Sequence, residues 1–291
     1  MLLAVPNFSE GRDRSLIDRI STEFASGAEL LDTHSDSLHN RTVLTLAAPA
    51  PDLGDALGRG AEACIGGIDM KAHDGAHPCV GALDVCPVVW LDEEDREAAV
   101  AEALAVATSI AAGGVPVFLY GELASSPERR ERAFFRAGGL ARLAERMAAG
   151  ELTPDLGPSS PHPSAGATLV TVRPPLAAFY LEIEGIRFDV AQGAAAGLRE
   201  SGGGLPGVRA IAIDRGGERA QISTNVHDPL AVALAQVVDR VRKLIGPAGG
   251  QVAAAEIVGL VPQAALVGFP EDVPIPGFDP RRHVIEARLR P

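Results

Sequence analysis

Apolar positions along this chain switch repeatedly between the period of a strand and the period of a helix. Residues 2–8 are mostly apolar and turn polar at Pro6–Asn7, which predicts a buried strand feeding a loop. Leu16, Ile17, Ile20 and Phe24 then recur at helical spacing. Residues 30–31 and 42–46 read as strands. Leu53, Leu57, Ala61 and Cys64 mark one face of a helix over 52–64, stopped by Gly66–Gly67. Residues 85–91 form an apolar strand interrupted by Pro87, which predicts an edge or a bulge. An Ala-rich helix with an acidic first turn is expected over 93–112, in keeping with the helix dipole, then a short strand over 115–120. Residues 127–135 and 140–149 are rich in Arg and Glu and read as helices.

The pattern breaks between residues 151 and 166, where Pro154, Pro158, Pro161 and Pro163 stand among serines with no long apolar run. Composition alone allows a plain linker or a binding loop. Beyond it the order of elements repeats. Strands are expected at 168–172 and 177–183, then a helix at 188–198 and a hairpin of 208–214 with 219–225 around Gly216–Gly217. A helix over 229–244 with Pro229 at its start and a strand at 251–258 complete the set. The tail from 270 to 280 is Pro-rich and irregular, and 283–289 reads as an edge strand. Each half thus carries a β-α-β-β-α-β order. The fold class expected is α+β: two ferredoxin-like subdomains, 1–172 and 173–291, forming a groove between them.

Composition narrows the partners. The formal net charge of −12 and the lack of a basic block argue against nucleic acid and anionic lipid. No apolar run approaches the ~18 residues of a membrane helix. The start of the chain is too short for a signal peptide and reads as a first strand. Three cysteines, Cys64, Cys79 and Cys86, make no secreted disulfide framework, so a reducing cytoplasmic setting is expected. GGGLPG at 202–207 follows a helix and precedes a strand, the reverse of a phosphate cradle.

The candidate chemistry centres on His77, set between Gly75 and Pro78 in a turn before an apolar strand. Imidazole is the side chain that titrates nearest neutrality, so it is a natural proton donor or acceptor. His34, His39, His73, His77 and Cys79 also raise a zinc alternative, but no CxxC or HExxH spacing is present and no metal is expected. Cys79 is a weaker candidate nucleophile. Asn7, Ser9 and Glu10 follow the first strand and read equally as helix caps or as cleft lining. Arg41 suits a carboxylate clamp or a surface ion pair, and Thr224 and Asn225 suit a groove or a turn.

Nine motifs occur in order: VPNFSEGR at 5–12, HNRT at 39–42, DM at 69–70, GAHP at 75–78, GALDVCP at 81–87, PVFLYGE at 116–122, PDLGPS at 154–159, QISTN at 221–225 and EIVGLVP at 256–262. Together they resemble the formiminotransferase domain family, over nearly the whole chain. The resemblance implies transfer of a formimino group from N-formimino-L-glutamate to tetrahydrofolate, in histidine breakdown, with release of glutamate. It assigns His77 the role of general acid and base. It places folate, the co-substrate, on Gly157, Pro158, Ser159, Ser160, Pro161, His162, Pro163, Ser164, Ala165 and Gly166, with Asn7, Arg41 and Asn225 lining the same groove. It implies no metal, and a homodimer is compatible with it. Some members carry a cyclodeaminase domain; with nothing after Pro291 here, that step would fall to a separate protein.

Four positions depart from the family pattern. His34 stands where a carboxylate is usual, Ala76 where an acid is usual, Cys79 where an arginine is usual and Tyr180 where an asparagine is frequent. A thiol cannot replace the bidentate donor fork of a guanidinium. The alternatives left open are a catalytically altered folate-binding fold-mate and a related formyl transferase, since fold alone does not fix function.

Overall fold

The computed structural model describes residues 1–76 and 78–289. The chain divides into two compact units, Met1–Arg173 and Pro174–Pro291. The first holds strands β1 (Leu2–Ala4), β2 (Asn7–Phe8), β3 (Glu29–Asp36), β4 (Arg41–Ala48), β5 (Leu83–Trp90), β6 (Val117–Leu119) and β7 (Thr168–Arg173). Its helices are α1 (Arg14–Phe24), α2 (Asp52–Gly67), α3 (Arg96–Ala112), α4 (Arg132–Arg136) and α5 (Gly139–Ala148).

β1 and β2 are one strand broken at Val5–Pro6, lying between β4 and β5, with β3 outside β4. All of these pairings are antiparallel. β5 then takes β7 in parallel, and β7 takes β6. Leu16, Ile17, Ile20 and Phe24 of α1 and Leu53, Leu57, Ala61 and Cys64 of α2 pack with Leu44, Leu46 and Val88 in one core. Burying each large side chain of this kind stabilises the fold by roughly 1.5–3 kcal/mol. A second cluster, with Phe118, Phe135, Leu143, Met147, Val85 and Leu169, covers the other face of β5, β6 and β7. β5 is therefore buried at every position from Leu83 to Trp90. That explains its continuous apolar run, since a strand covered on both faces needs no polar alternation.

β5 is a central strand rather than an edge, and its pairing with β2 carries an irregularity, where Asn7 faces Val85 and Phe8 faces Leu83, as the bulge alternative for Pro87 expected. The Pro87 carbonyl accepts from the Val5 amide at 3.0 Å. The missing N–H points to the same side, where β1 and β2 are interrupted, so no ladder bond is lost. Helix α2 has no side-chain cap of its own. The buried Glu102 carboxylate of α3 serves instead, accepting from the Gly54 amide at 2.7 Å.

The second unit holds β8 (Ala177–Glu184), α6 (Phe188–Leu198), β9 (Val208–Asp214), β10 (Arg219–Val226), α7 (Leu234–Ile245) and β11 (Gln251–Val258). Its sheet runs β11-β8-β10-β9, all antiparallel. Ala177, Phe179, Leu181 and Ile183 of β8 enter a core with Val237, Val238 and Val241 of α7. Tyr180 and Glu182 alternate to the opposite face, where Tyr180 stands opposite Ser223.

Two expectations fail here. α7 starts at Leu234 rather than at Pro229, because the Asp228 carboxylate holds the Leu230 and Ala231 amides (both 3.1 Å) in a turn. The tail adds no edge strand: it forms α8 (Pro280–His283), capped by Asp279, and α9 (Ile285–Arg288), with one parallel bridge between Val261 and Val284. Among the described residues no helix is long and apolar enough to cross a membrane.

Candidate active site

A tight crevice in the first unit is lined by Ser9, His39, Asn40, Arg41, His73, Cys79 and Asp84. Ser9 follows β2, His39 and Asn40 form the β3–β4 turn, Arg41 opens β4, His73 and Cys79 come from the segment leading into β5, and Asp84 lies in β5 itself. His77, the residue expected to carry the chemistry, lies outside the described residues.

The β3–β4 turn organises one wall. The Asp36 carboxylate accepts from the Leu38 and His39 amides, at 2.8 and 2.9 Å, and from Nδ1–H of His39 at 2.8 Å. The amide and imidazole of His39 hold the Asp36 carboxyl down at about 2. Asn40 closes the turn with φ of 49°, a left-handed conformation that Asn tolerates better than most residues. Its Oδ1 accepts from the Gly11 amide at 2.9 Å. Its Nδ2 donates to the Asp74 carbonyl at 3.1 Å and lies 3.4 Å from Nδ1 of His73. These partners orient the amide, so Nδ1 of His73 is the acceptor and Nε2 carries the proton.

The opposite wall docks on this turn. The Ala76 amide donates to the Leu38 carbonyl at 3.2 Å. A Cβ on Gly75 would stand 2.4 Å from the His39 carbonyl oxygen, so only glycine allows the approach. Asp84 closes the floor. Its buried carboxylate accepts from the Val80 amide at 2.8 Å and pairs with the Arg136 guanidinium of α4. Burial, and next the negative charge of Asp84, push the Cys79 thiol up. A thiol held protonated is a poor nucleophile, which argues against that role for Cys79.

The 157–166 segment reaches the same neighbourhood. His162 and Gly166 exchange backbone hydrogen bonds at 2.8 and 3.0 Å, and the Ala165 and Ser164 amides donate to Nδ1 of His162 at 3.0 and 3.3 Å. The Ala82 amide donates to the Ala165 carbonyl and the Ala167 amide to the Val80 carbonyl, both at 2.9 Å. The loop is thus tied to the residues just after Cys79. Gly157, Pro158, Ser159, Ser160 and Pro163 are exposed, and Pro161, His162 and Ser164 half-buried. Ala165 and Gly166 are buried, and the Ala165 side chain belongs to the core.

Asn7 donates from Nδ2 to the Val5 carbonyl at 2.8 Å, bridging the broken strand. Ser9 donates to the Gly81 carbonyl at 2.7 Å. The helix cap is Asp13, while Glu10 holds the Arg12 and Asp13 amides. In the second unit Thr224 and Asn225 both lie within β10 rather than in a turn. Thr224 is buried with its hydroxyl on the Phe179 carbonyl, so the two cannot share a face. Among the described residues no group of three or more His, Cys, Asp and Glu side chains is placed to hold a metal.

Sequence reasoning missed the Asp36–His39 pair and the Asp84–Arg136 pair. An acid three residues before a histidine in a short turn was a usable signal for the first. The second joins positions 52 apart, with no local pattern to reveal it.

An α+β protein with paired imidazole and carboxylate groups lining a small cleft is equipped for proton transfer. The family described as formiminotransferase domain, N-terminal subdomain, matches residues 1–173. A glutamate formimidoyltransferase of Streptococcus pyogenes serotype M1 is 33% identical over 98% of this chain and 97% of its own length. One from Thermoplasma acidophilum is also 33% identical, over 98% of this chain and 96% of its own. The formimidoyltransferase-cyclodeaminase of Sus scrofa is 37% identical over 90% of this chain, which spans 50% of that protein. The chain belongs to the formiminotransferase family.

Proposed function

We propose that this protein is a glutamate formimidoyltransferase, moving a formimino group from N-formimino-L-glutamate to tetrahydrofolate and releasing glutamate. The observation that carries this reading is the match to relatives of that name over nearly the full length of both chains. We read each unit, taken by itself, as ferredoxin-like. In both, the first strand lies between the third and the fourth, and the first unit extends the pattern with β6 and β7. The second unit, Pro174–Pro291, is then the partner subdomain of the family.

In this reading an amine of tetrahydrofolate attacks the formimino carbon, and the carbon–nitrogen bond to glutamate breaks. His77 passes a proton to the leaving nitrogen. Folate rests on the exposed part of the 157–166 loop, and Arg41 clamps a substrate carboxylate. Asn7 and Asn225 stay in the proposal as substrate contacts. Holding both reactants together supplies much of the rate, because the step becomes effectively unimolecular. Three free cysteines fit a reducing cytoplasm.

One observation favours a second reading, a fold-mate that binds folate without transfer: Cys79, where the family usually has arginine, carries no charge. Calorimetric titration of tetrahydrofolate, followed by addition of N-formiminoglutamate and assay of released glutamate, separates the two. Binding with glutamate release supports the enzyme. Binding alone supports the fold-mate, and no binding contradicts both.

A further inference from the structure

We propose that His162 is a positioning residue for the folate co-substrate: its imidazole gathers two backbone amides and so holds the 162–166 turn in shape before folate arrives. The inference deepens the functional reading above and rests on its placement of folate on the 157–166 loop.

The turn is built from its backbone inwards. His162 and Gly166 exchange hydrogen bonds at 2.8 and 3.0 Å, closing a turn over 162–166 in which Gly166 takes a left-handed φ of 71°. Pro163 has no N–H, and among the described residues no backbone carbonyl takes the amides of Ser164 and Ala165. Nδ1 of His162 accepts both, at 3.3 and 3.0 Å, and the Ser164 hydroxyl lies 3.4 Å from the same nitrogen. A ring nitrogen that accepts N–H groups presents its lone pair, so Nε2 carries the proton. His162 thus does what Asn and Asp do in turns, where a side-chain oxygen accepts from amides a short way along the chain.

The rest of the loop leaves this turn to its own side chain. At the first stem the Val117 amide donates to the Leu156 carbonyl at 2.9 Å, and the Asp155 carboxylate accepts from the Leu119 amide at 2.8 Å and pairs with Arg129. At the second, the Met70 amide donates to the Ser164 carbonyl at 2.7 Å and the Ala82 amide to the Ala165 carbonyl at 2.9 Å. The carbonyls of the turn are therefore tied to the segment that leads through His73 to β5, while its amides depend on one imidazole. A loop already ordered costs a ligand less to bind than one it must order. Removing the acceptor frees two amides to water and leaves folate to shape the turn.

The test compares wild type with His162→Leu, which fills similar space without an acceptor, and His162→Asn, which loses the ring but keeps an acceptor. It reads amide hydrogen exchange at Ser164 and Ala165 by NMR, tetrahydrofolate Kd by calorimetry, kcat at saturating folate, and folding by circular dichroism. His162→Leu should speed exchange at both amides and raise the folate Kd by about tenfold, the scale of one or two lost hydrogen bonds, with kcat within about twofold of wild type. His162→Asn should bring protection and Kd back to within about threefold of wild type. A folded His162→Leu with a wild-type Kd overturns the inference. So does a His162→Asn that protects both amides yet binds folate as weakly as His162→Leu, since the ring itself would then be the contact. If His162→Leu fails to fold, His162→Asn decides alone: a near-wild-type Kd supports the role, and a loss of about tenfold overturns it. Amides of Ser164 and Ala165 that exchange freely in wild type overturn the inference while the functional reading stands. Wild type that protects both amides but binds no folate overturns the functional reading, and this inference with it.

Discussion

The two units place their strands in the same order through four strands and part company after the fourth. In the second unit β11 pairs with β8 and the sheet stops there, among the described residues. In the first, β5 pairs back to β1 and β2 and also accepts β7 in parallel, with β6 beyond. That addition carries the 157–166 loop into β7, ties it to Val80 and Ala82, and brings Arg136 of α4 onto Asp84. The hairpin turns differ in the same way. Both use an aspartate that holds the amide two residues on, Gly216 for Asp214 and Leu38 for Asp36, but Asp36 also holds an imidazole. A plain four-stranded unit thus acquires a cleft by extending its sheet and placing titratable groups in one turn.

If the extension builds the cleft, its most buried link should be the most costly to cut. Arg136→Ala leaves the Asp84 carboxylate buried without its partner, which costs roughly 3–5 kcal/mol. Arg187→Ala, in the exposed pair with Asp189, should leave the thermal midpoint unmoved. Calorimetric scans of both variants check the contrast, and equal midpoints would erase it.

Glycine substitutions sharpen the comparison at lower cost. A Cβ at Gly81 would lie 1.9 Å from the Ala167 carbonyl oxygen, so Gly81→Val must part the loop from the cleft. A loss of roughly 2–4 kcal/mol is expected, with weaker tetrahydrofolate binding. Gly216→Ala has open space around it and strains only a φ of 80°, so a loss of about 1 kcal/mol is expected, with folate binding intact. Urea denaturation and calorimetry read both.

Cys79 should react slowly with iodoacetamide at neutral pH and faster only as pH rises above that of an ordinary thiol, because burial and Asp84 hold it protonated. Mass-spectrometric rates of alkylation test this. The smallest effect belongs to Asp36. Its carboxyl is lowered from 3.8 to about 2 in the folded protein. Its contribution to stability is therefore complete above about 4 and fades as pH falls towards 2. Asp36→Asn should therefore lower stability slightly above pH 5 and converge with wild type as pH falls towards 2, the effect staying small because the side chain is 32% exposed; urea denaturation at pH 7 and pH 2.5 reads it.

Much of the fold was legible because its helices and strands keep clean periods. α6 and β9 lie where their apolar spacing puts them, and the Gly216–Gly217 hairpin follows from turn chemistry. Reading stopped short where a tertiary contact overrides local rules. Pro87 left an edge and a bulge both open, and the strand proves central because the break at Val5–Pro6 absorbs the missing donor. Pro229 opens no helix because Asp228 prefers a turn. The motif order marked the family, while the site's internal wiring was less visible. His39 stood in a recognised motif, yet its partner Asp36 mattered only once the hairpin folded. The Arg136–Asp84 link was invisible because its halves are distant in sequence.

The central proposal is formimino transfer with His77 as proton donor. The most direct measurement is glutamate release from N-formiminoglutamate in the presence of tetrahydrofolate, for wild type and His77→Ala, with folate affinity measured on the same samples. The account predicts release by wild type, at least a ~100-fold loss in His77→Ala and an unchanged folate Kd. Turnover by His77→Ala at the wild-type rate would contradict it.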